Sequence, residues 1–273
     1  MKIYDNLRKG AMGDVEDLRG ILYPTRLPTF HREPAPAELA ELIRWFWIPR
    51  WAIAPGRSSR QEVLPFPASN LVVQPEMVSI AGPTTAISRR DLTGTGWAVG
   101  ALLRPAALAS LGIDPQALRD REEPLDEPDL HAAVCAAMGG PEESAARRRA
   151  VAEFSSWARV RLTPPDDEAR LANAMEELIS TDRSMMRVEQ VADALHSSPR
   201  TVQRLAHRYI GVPPLAMIRR YRLQEAAQRL REEPQQSLAD LAADLGYADH
   251  AHLTRDFRTV LGFTPRGYRG SDQ

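Results

Sequence analysis

Hydrophobic residues recur with helical spacing over the last third of the chain, and the pattern occurs twice. Apolar residues at i, i+3, i+4 and i+7 line one face of an α-helix. They are Val188, Val191, Ala192 and Leu195 in the first copy and Leu238, Leu241, Ala242 and Leu245 in the second. After one extra residue in the second copy, Arg204 aligns with Arg255 and Gly211 with Gly262. This self-similarity indicates two copies of one supersecondary unit.

Each copy has the pattern of a short helix, a tight turn and a second helix that glycine closes. That is the layout of a helix-turn-helix unit. Ser198 and Asp249 stand where they can cap the second helix of the first and second copy. Between the copies, a helix from Pro214 to about Glu233 is predicted. Its length of about 30 Å is close to the roughly 34 Å between successive major grooves on one face of DNA.

The second helix of each copy is predicted to bury one face and expose the other. The residues expected to pack inward are Val202, Leu205 and Tyr209 in the first copy and Leu253, Phe257 and Val260 in the second. The outer residues are Arg200, Thr201, Gln203, Arg204, His207, His250, His252, Thr254 and Arg255. Arg and Gln side chains match the edges of guanine and adenine in the major groove. One such helix is better explained as an ordinary solvated surface, but two matching faces favour DNA binding.

The first 130 residues carry short apolar runs bounded by Pro or Gly, as in a β-rich domain. Strands are predicted near residues 43–48, 70–74, 78–80 and 97–103, and short helices at 34–44 and 105–111. Residues 129–162 have a helical pattern, and Val151, Phe154 and Trp157 share one face. That face is expected to pack on the β-rich domain or on a partner chain.

Pro164-Pro165, followed by three acidic residues, interrupts the helical pattern and predicts a domain boundary. The expected fold is α+β and multidomain, with a barrel-like β-rich sensor domain and an all-α C-terminal domain. Residues 1–130 would form the sensing or dimerisation domain and residues 131–165 a helical connector. Residues 166–273 would hold the two helix-turn-helix units and their joining helix.

Composition and charge agree with a soluble DNA-binding protein. The chain has 273 residues, 43% of them hydrophobic and 26% charged, which is typical of globular proteins. Residues 1–20 lack the apolar core of a signal peptide, and no run of 18 apolar residues occurs. We therefore expect a cytoplasmic, nucleoid-associated protein without a membrane partner. Residues 184–270 hold 13 Arg and 9 acids, a net charge of +4, against −4 for residues 1–183.

Sequence motifs of catalysis, cofactors and metal sites are missing, so neither catalytic residues nor cofactors are expected. His31 and His131 are the only histidines of the first half and lie far apart, unlike the clustered ligands of metal-binding β-barrels. No nucleophile elbow, phosphate loop or dinucleotide fingerprint occurs. Cys135, the single cysteine, lies in an alanine-rich helical segment, as expected for an inert buried thiol. A reactive Cys135 in a DNA-repair transferase is the enzymatic alternative.

Aromatic residues of the first domain form a candidate site for an apolar effector. The candidate ligand-binding residues are Trp45, Trp47, Trp51, Phe66, Trp97 and Arg104. Taken singly, each aromatic side chain is better explained as part of the core of a small domain. Arg104 either meets an anionic ligand or marks the end of a strand.

The segment from Arg187 to Arg269 resembles the DNA-binding domain of the AraC/XylS family of bacterial regulators. The resemblance rests on Gly246-Tyr247, on the helix around Leu253 with Arg255 and Phe257, and on Gly262-x-x-Pro265-x-x-Tyr268-Arg269. The first copy departs from the family pattern at Ala206, where Phe is usual, and at Arg187, where Ser or Thr is usual.

The resemblance implies a sequence-specific transcription regulator that reads two adjacent major grooves of double-stranded DNA. It further implies a small-molecule effector and contact with RNA polymerase, and it favours activation over repression. A homodimer is also expected. The first rival is a constitutive DNA-binding protein whose N-terminal domain only dimerises, and the second is the DNA-linked enzyme considered above.

Overall fold

The computed structural model describes residues 29–63, 66–85 and 87–270. Residues 1–20, in which the sequence lacks the apolar core of a signal peptide, lie outside the described residues. The strands are β1 Thr29–Pro34, β2 Ile43–Ala52, β3 Ser58–Val63, β4 Asn70–Val73, β5 Val78–Ala81, β6 Ser88–Thr93, β7 Thr95–Trp97, β8 Val99–Leu103 and β9 Glu122–Pro124. The helices are α1 Pro105–Ser110, α2 Pro128–Met138, α3 Glu143–Arg161, α4 Asp167–Thr181, α5 Val188–Ala194, α6 Pro199–Leu205, α7 Pro214–Glu232, α8 Leu238–Asp244, α9 His250–Leu261 and α10 Pro265–Gly270.

An antiparallel sheet forms the centre of the N-terminal half. Its strands follow the order β1-β2-β8-β4-β5-β9, and β7 pairs with β2. A separate ribbon consists of β3 and β6. The predicted β-rich domain is therefore confirmed as an open sheet, in which β1 and β9 lie at opposite edges.

One face of this sheet is covered by helices. Side chains alternate between the faces of a strand, and Phe46 and Ile48 of β2 are both fully buried. The Phe46 ring meets Phe154 of α3 edge to face, with 5.3 Å between centroids. Phe154 in turn contacts Trp157 at 5.8 Å. The apolar face of α3 thus packs on the β-rich domain of its own chain, one of the two outcomes that the sequence left open.

The predicted strands near residues 43–48, 70–74, 78–80 and 97–103 are confirmed, as is the helix after Arg104. The predicted helix over residues 34–44 is wrong. Pro34 ends β1, Arg44 belongs to β2, and only Ala37–Leu39 form a 3-10 turn. The reason is long-range pairing: Pro34 lies opposite Trp45 in an antiparallel ladder, so the residues between them must form a compact connection.

The hydrophobic core consists of two clusters of buried residues, and the sequence did not indicate where one ends and the other begins. One cluster of buried residues extends from Leu39 in the β-rich domain through α4, α5 and α6 to Tyr221 of α7. A second cluster begins at Leu223 of α7 and extends to Tyr268 of α10. The first helix-turn-helix unit therefore shares a core with the β-rich domain, whereas the second has a core of its own.

Buried polar contacts connect the β-rich domain to α4. Arg44 Nη1 donates to Glu176 Oε1 over 2.6 Å, and the side chain of Glu176 is only 3% exposed. Tyr221 Oη of α7 donates to the same oxygen over 2.5 Å. Asn173 joins α4 to α1, because its amide oxygen accepts from the backbone N–H of Ala106. These contacts fix α4 and α7 against the sheet and α1.

Candidate nucleic-acid interface

The first helix-turn-helix unit consists of α5, a turn and α6, which a π-helical turn over Ala206–Ile210 extends. Ser198 caps α6 as predicted, because its hydroxyl accepts from the Thr201 N–H over 3.1 Å. Gly211 ends the unit with φ of +81°, a left-handed conformation that favours glycine. The Arg187 side chain has no hydrogen-bond acceptor and therefore cannot cap the first backbone N–H groups of α5. Gln190 Oε1 instead accepts from the Arg187 N–H over 2.9 Å.

The second unit consists of α8, a turn at Gly246 and α9. Ser237 caps α8, since its hydroxyl accepts from the Asp240 N–H over 3.0 Å. Asp249 caps α9, and its carboxylate accepts from the His252 N–H over 2.7 Å. Gly262 closes α9 with φ of +74°. Both units therefore have the caps and closing glycines that the repeat predicted.

The two second helices, α6 and α9, present outer faces as predicted. All six residues that were expected to pack inward are buried. Of the nine candidate DNA-binding residues, six are exposed: Arg200, Gln203, Arg204, His250, His252 and Arg255. The other three candidates are half-buried: Thr201, His207 and Thr254. Thr201 also shares a hydrogen bond with the Ser198 hydroxyl.

Arginines of α7 hold the second unit in place. Arg219 donates from Nε and Nη2 to the two oxygens of Asp256 on α9, over 2.7 and 2.6 Å. Arg222 stacks on the Tyr247 ring, 4.2 Å from its centroid. Burial raises the pKa of the Tyr247 hydroxyl to about 12. The bidentate pair between Arg219 and Asp256 fixes the rotation of α9 against α7.

A carboxylate of α4 holds the first unit. Glu168 Oε2 accepts from Arg208 Nη1 over 2.5 Å and from Tyr209 Oη over 3.2 Å. Its Oε1 accepts from Arg204, one of the candidate reading residues. The Arg204 hydrogen bond is the main cause that lowers the pKa of Glu168 from its ordinary value.

A family model described as "Helix-turn-helix domain" matches residues 191–271, which cover most of α5 and all of α6 to α10. The match, the repeated geometry and the two exposed helices agree with the sequence signature of Gly246 to Arg269. The C-terminal domain is of the AraC/XylS type. A second model, "Domain of unknown function (DUF6597)", matches residues 31–124 in the β-rich region.

Two curated relatives of the AraC/XylS-type domain carry regulatory names. An "Uncharacterized HTH-type transcriptional regulator" of Haemophilus influenzae is 29% identical over 104 residues, which are 38% of this chain and 35% of the relative. The "HTH-type transcriptional activator RhaS" of an Enterobacter species is 31% identical over 104 residues, covering 38% and 37%. The chain thus matches little more than a third of the length of either relative.

Solved structures that this chain matches include the C-terminal domain of AraT, a response regulator from Geobacillus stearothermophilus. It is 20% identical, with 39% of this chain and 88% of that chain covered and a TM-score of 0.36. Apo ToxT from Vibrio cholerae is 11% identical, with 87% and 98% covered and a TM-score of 0.46.

Two loops of the β-rich domain reach the two helix-turn-helix units near the glycines that close them, Gly211 and Gly262, which no sequence pattern indicated. Arg119 donates from Nε to the Gly211 carbonyl over 2.9 Å. Ile87 packs on the second core, and a Cβ added at Gly262 would lie 3.8 Å from it. Asp120 joins the two loops by accepting from the Thr85 hydroxyl over 2.5 Å. The β-rich domain therefore contacts both units of the AraC/XylS-type domain at equivalent positions.

The six candidate ligand-binding residues make separate contacts within the protein. Trp45 lies between the guanidinium groups of Arg32 and Arg44, at 4.8 and 5.2 Å, and 6.4 Å from the Phe66 ring. Trp47 donates to Asn70 Oδ1 over 2.9 Å.

The other three candidates are also engaged. Trp51 donates to the Thr93 carbonyl over 3.2 Å, and Trp97 packs on the first core. Arg104 donates to Glu177 Oε2 over 2.8 Å. The structure thus brings Trp45 and Phe66 together and uses Arg104 to link β8 to α4.

A cavity of about 330 Å³ lies elsewhere, between the end of α4 and α7. Its lining includes Ile179, Met185, Ile218, Tyr221 and Leu245 and contains none of the six candidates. Among the described residues, no group of His, Cys, Asp or Glu suits a metal ion. No helix of the described ranges has the length and hydropathy to cross a bilayer.

Cys135 does not have the surroundings of a reactive nucleophile. Burial, and then the negative charge of Glu76, raise the pKa of its thiol. Its Sγ lies 3.5 Å from Nε2 of His131, which also contacts the Gln74 carbonyl. A catalytic cysteine needs a lowered pKa in an electropositive environment, so these contacts argue against the repair-transferase alternative. Neither curated relative is named as an enzyme.

Proposed function

We propose that this chain is a sequence-specific transcription regulator that reads two adjacent major grooves of double-stranded DNA. The observation that carries the proposal is the placement of two matching, exposed helix faces at the two ends of one rigid helix. Arg204 and Arg255 occupy equivalent positions on these faces. The connecting helix α7 has 19 residues, or about 28 Å, against roughly 34 Å between successive grooves.

The candidate contacts divide into two kinds by chemistry. Arg200, Gln203, Arg204 and Arg255 have the donors that recognise base edges. Thr201, His207, His250, His252 and Thr254 are suited to phosphate and sugar contacts, which position the protein and supply much of the affinity.

Selection of binding sites from a random DNA pool, followed by footprinting of the selected duplex, tests the proposal. We expect protection of two successive major grooves on one face, with separate sequence preference in each. Protection of a single groove, or equal affinity for selected and random duplexes, would overturn it.

We further propose that the β-rich domain regulates the reader in response to a small-molecule effector. Its contacts with both units support this role, since a change in the domain would act on Gly211 through Arg119 and on the second core through Ile87. Trp45, Trp47, Trp51, Phe66, Trp97 and Arg104 remain the candidate effector-binding residues. The name of the Enterobacter relative supports activation, and thereby contact with RNA polymerase.

A constitutive, dimerising N-terminal domain is the rival proposal. Thermal-shift screening of the full chain against small molecules separates the two, because a ligand that binds the folded state raises its Tm. Stabilising compounds that also change the affinity for the selected duplex support regulation. A screen in which no stabilising compound changes DNA binding supports the rival.

We propose the same boundaries as the sequence indicated, with residues 1–130 for sensing or dimerisation, 131–165 as connector and 166–273 for DNA. A homodimer would place four reading helices on DNA and raise affinity through effective concentration. Sedimentation at micromolar concentration tests this, and a monomer with undiminished affinity would exclude the dimer. Because DNA is its partner, the protein would act in the cytoplasm at the nucleoid.

A further inference from the structure

Glu168, in the first turn of α4, contacts the first reading helix from outside the helix-turn-helix unit. Its two carboxylate oxygens accept from Arg204, Arg208 and Tyr209. The side chains of Arg204 and Arg208 are 53% and 61% exposed. One carboxylate thus binds Arg204, which faces DNA in the proposed function, and the exposed Arg208 one turn further along.

The second reading helix has a different arrangement at the equivalent position. Arg255 is exposed, and within the described residues no carboxylate pairs with its side chain. The neighbouring Asp256 points away from the reading surface and is bound by Arg219 of α7. The repeat therefore carries one arginine held by an internal anion and one that is ready for an external anion.

A carboxylate and a DNA phosphate accept the same guanidinium N–H groups, and guanine offers acceptors to them as well. An N–H that donates to Glu168 must leave it before it can donate fully to DNA. Glu168 stays ionised at neutral pH, because its arginine partners hold its pKa below the ordinary value. The internal pair must therefore be broken or weakened whenever the first helix binds.

We propose that Glu168 is an autoinhibitory competitor of DNA at the first reading helix. The inference rests on the proposed function, because it assumes that Arg204 faces DNA. Exposed ion pairs contribute about 0.2–1 kcal/mol each, so two pairs correspond to about a twofold to thirtyfold reduction in affinity. Removal of the competitor should strengthen binding by that factor.

Asp167 offers a matched control for Glu168→Gln. Both acids lie in the first turn of α4, so Glu168→Gln and Asp167→Asn each remove one negative charge from the same helix N-terminus. The Asp167 side chain is fully exposed and pairs only weakly, at 3.4 Å, with Arg170. Affinities of the full chain would be measured at one salt concentration for a duplex selected from a random pool and for a random-sequence duplex.

Glu168→Gln should bind the selected duplex about twofold to thirtyfold more tightly, and Asp167→Asn should change affinity by less than twofold. The gain should disappear in a variant that also carries Arg204→Ala and Arg208→Ala, because the competition acts through those side chains. Equal gains from both acid variants would assign the effect to general charge and overturn the proposal. Weaker binding by Glu168→Gln would show that Glu168 positions the arginines for DNA, which also overturns it.

Arg204→Ala alone separates this inference from the proposed function. If Arg204→Ala weakens the selected complex but Glu168→Gln leaves affinity unchanged, the competitor is excluded and DNA reading stands. If Arg204→Ala binds every duplex as the natural chain does, the DNA-reading role of Arg204 and the competitor both fail. Circular dichroism and Tm of each variant confirm that the fold is retained.

Discussion

The two helix-turn-helix units share one sequence pattern but have different structural supports. The first unit belongs to the core cluster that begins in the β-rich domain and ends at Tyr221. The second unit has a separate core that begins two residues later, at Leu223. Similar local patterns thus produce similar units. The surrounding chain, however, packs the first unit into the core of the β-rich domain. The second is attached chiefly through α7.

Because of this difference, the two reading helices are held in position by different parts of the molecule. The first reading helix is fixed relative to the β-rich domain through α4, which carries Glu168, Asn173 and Glu176. The second helix takes its position from α7 through Arg219 and Arg222. In the proposed regulation, a change in the β-rich domain would therefore reach the first unit through more contacts than the second.

Glu176→Ala provides the strongest test of the shared core. It leaves Arg44 buried without its main carboxylate partner, and breaking a buried ion pair costs about 3–5 kcal/mol. We expect hydrogen exchange to show loss of protection in α4, α5 and α6, with α9 retained. Urea unfolding measures the overall loss.

The reciprocal variant is Phe257→Ala, which removes a fully buried ring from the second core at a cost of about 3–5 kcal/mol. Here α8, α9 and α10 should lose protection while α4 to α6 keep theirs. Loss of protection across both units in either variant would contradict the division of the core.

Gln224→Pro tests the helix that joins the two units. Gln224 lies in α7 at the junction of the two clusters and is buried. Proline within a helix costs about 3 kcal/mol or more, since it removes a hydrogen bond and clashes with the preceding turn. We expect affinity for the selected duplex to fall towards the affinity for random DNA. Retained footprinting across two adjacent grooves would contradict the rigid-spacer role.

Arg255→Ala and Arg204→Ala compare the two reading surfaces directly. Loss of a base-reading arginine should cost about 1–3 kcal/mol in binding and relax the base preference at its position. The Arg255 variant should lose more, because Arg204 must first give up its bond to Glu168. Titrations on selected and random duplexes measure both effects. Equal losses on the two duplexes would assign the arginine to phosphate contact.

The caps of the reading helices should respond differently to acid. The His252 N–H, which donates to Asp249, is the main cause that lowers the pKa of this carboxyl below its ordinary 3.8. The folded pKa is depressed, so the stabilisation is present above 3.8 and is lost as pH falls through the folded value. Ser198 caps α6 at the equivalent position and does not titrate.

The protection factors of the amides at the start of α9 should therefore decrease as the pH falls below 3.8, while those at the start of α6 stay unchanged. Asp249→Asn, which keeps a capping side chain but does not titrate, serves as the control. An α9 terminus that frays equally in the natural chain and in Asp249→Asn would contradict this origin.

Local patterns predicted the C-terminal units well. The caps at Ser198 and Asp249, the closing glycines and the buried side of each reading helix all follow from interactions within a few residues of one another. The helix predicted over residues 34–44 failed for the opposite reason, because its ends are strands whose partners come from distant sequence. The edge strands β1 and β9 and the β3-β6 ribbon lacked a distinctive local signal for the same reason.

The sequence by itself determined that the chain carries two helix-turn-helix units with matched arginines and a connecting helix. Periodicity, capping and glycine placement are encoded within short windows. Only the tertiary structure decided that Glu168 reaches Arg204 and that the core divides between Tyr221 and Leu223. It also decided that Arg119 binds the Gly211 carbonyl and that Ile87 packs on the second core. These contacts join residues tens to well over a hundred positions apart, and their formation depends on how whole elements pack, which no local window contains.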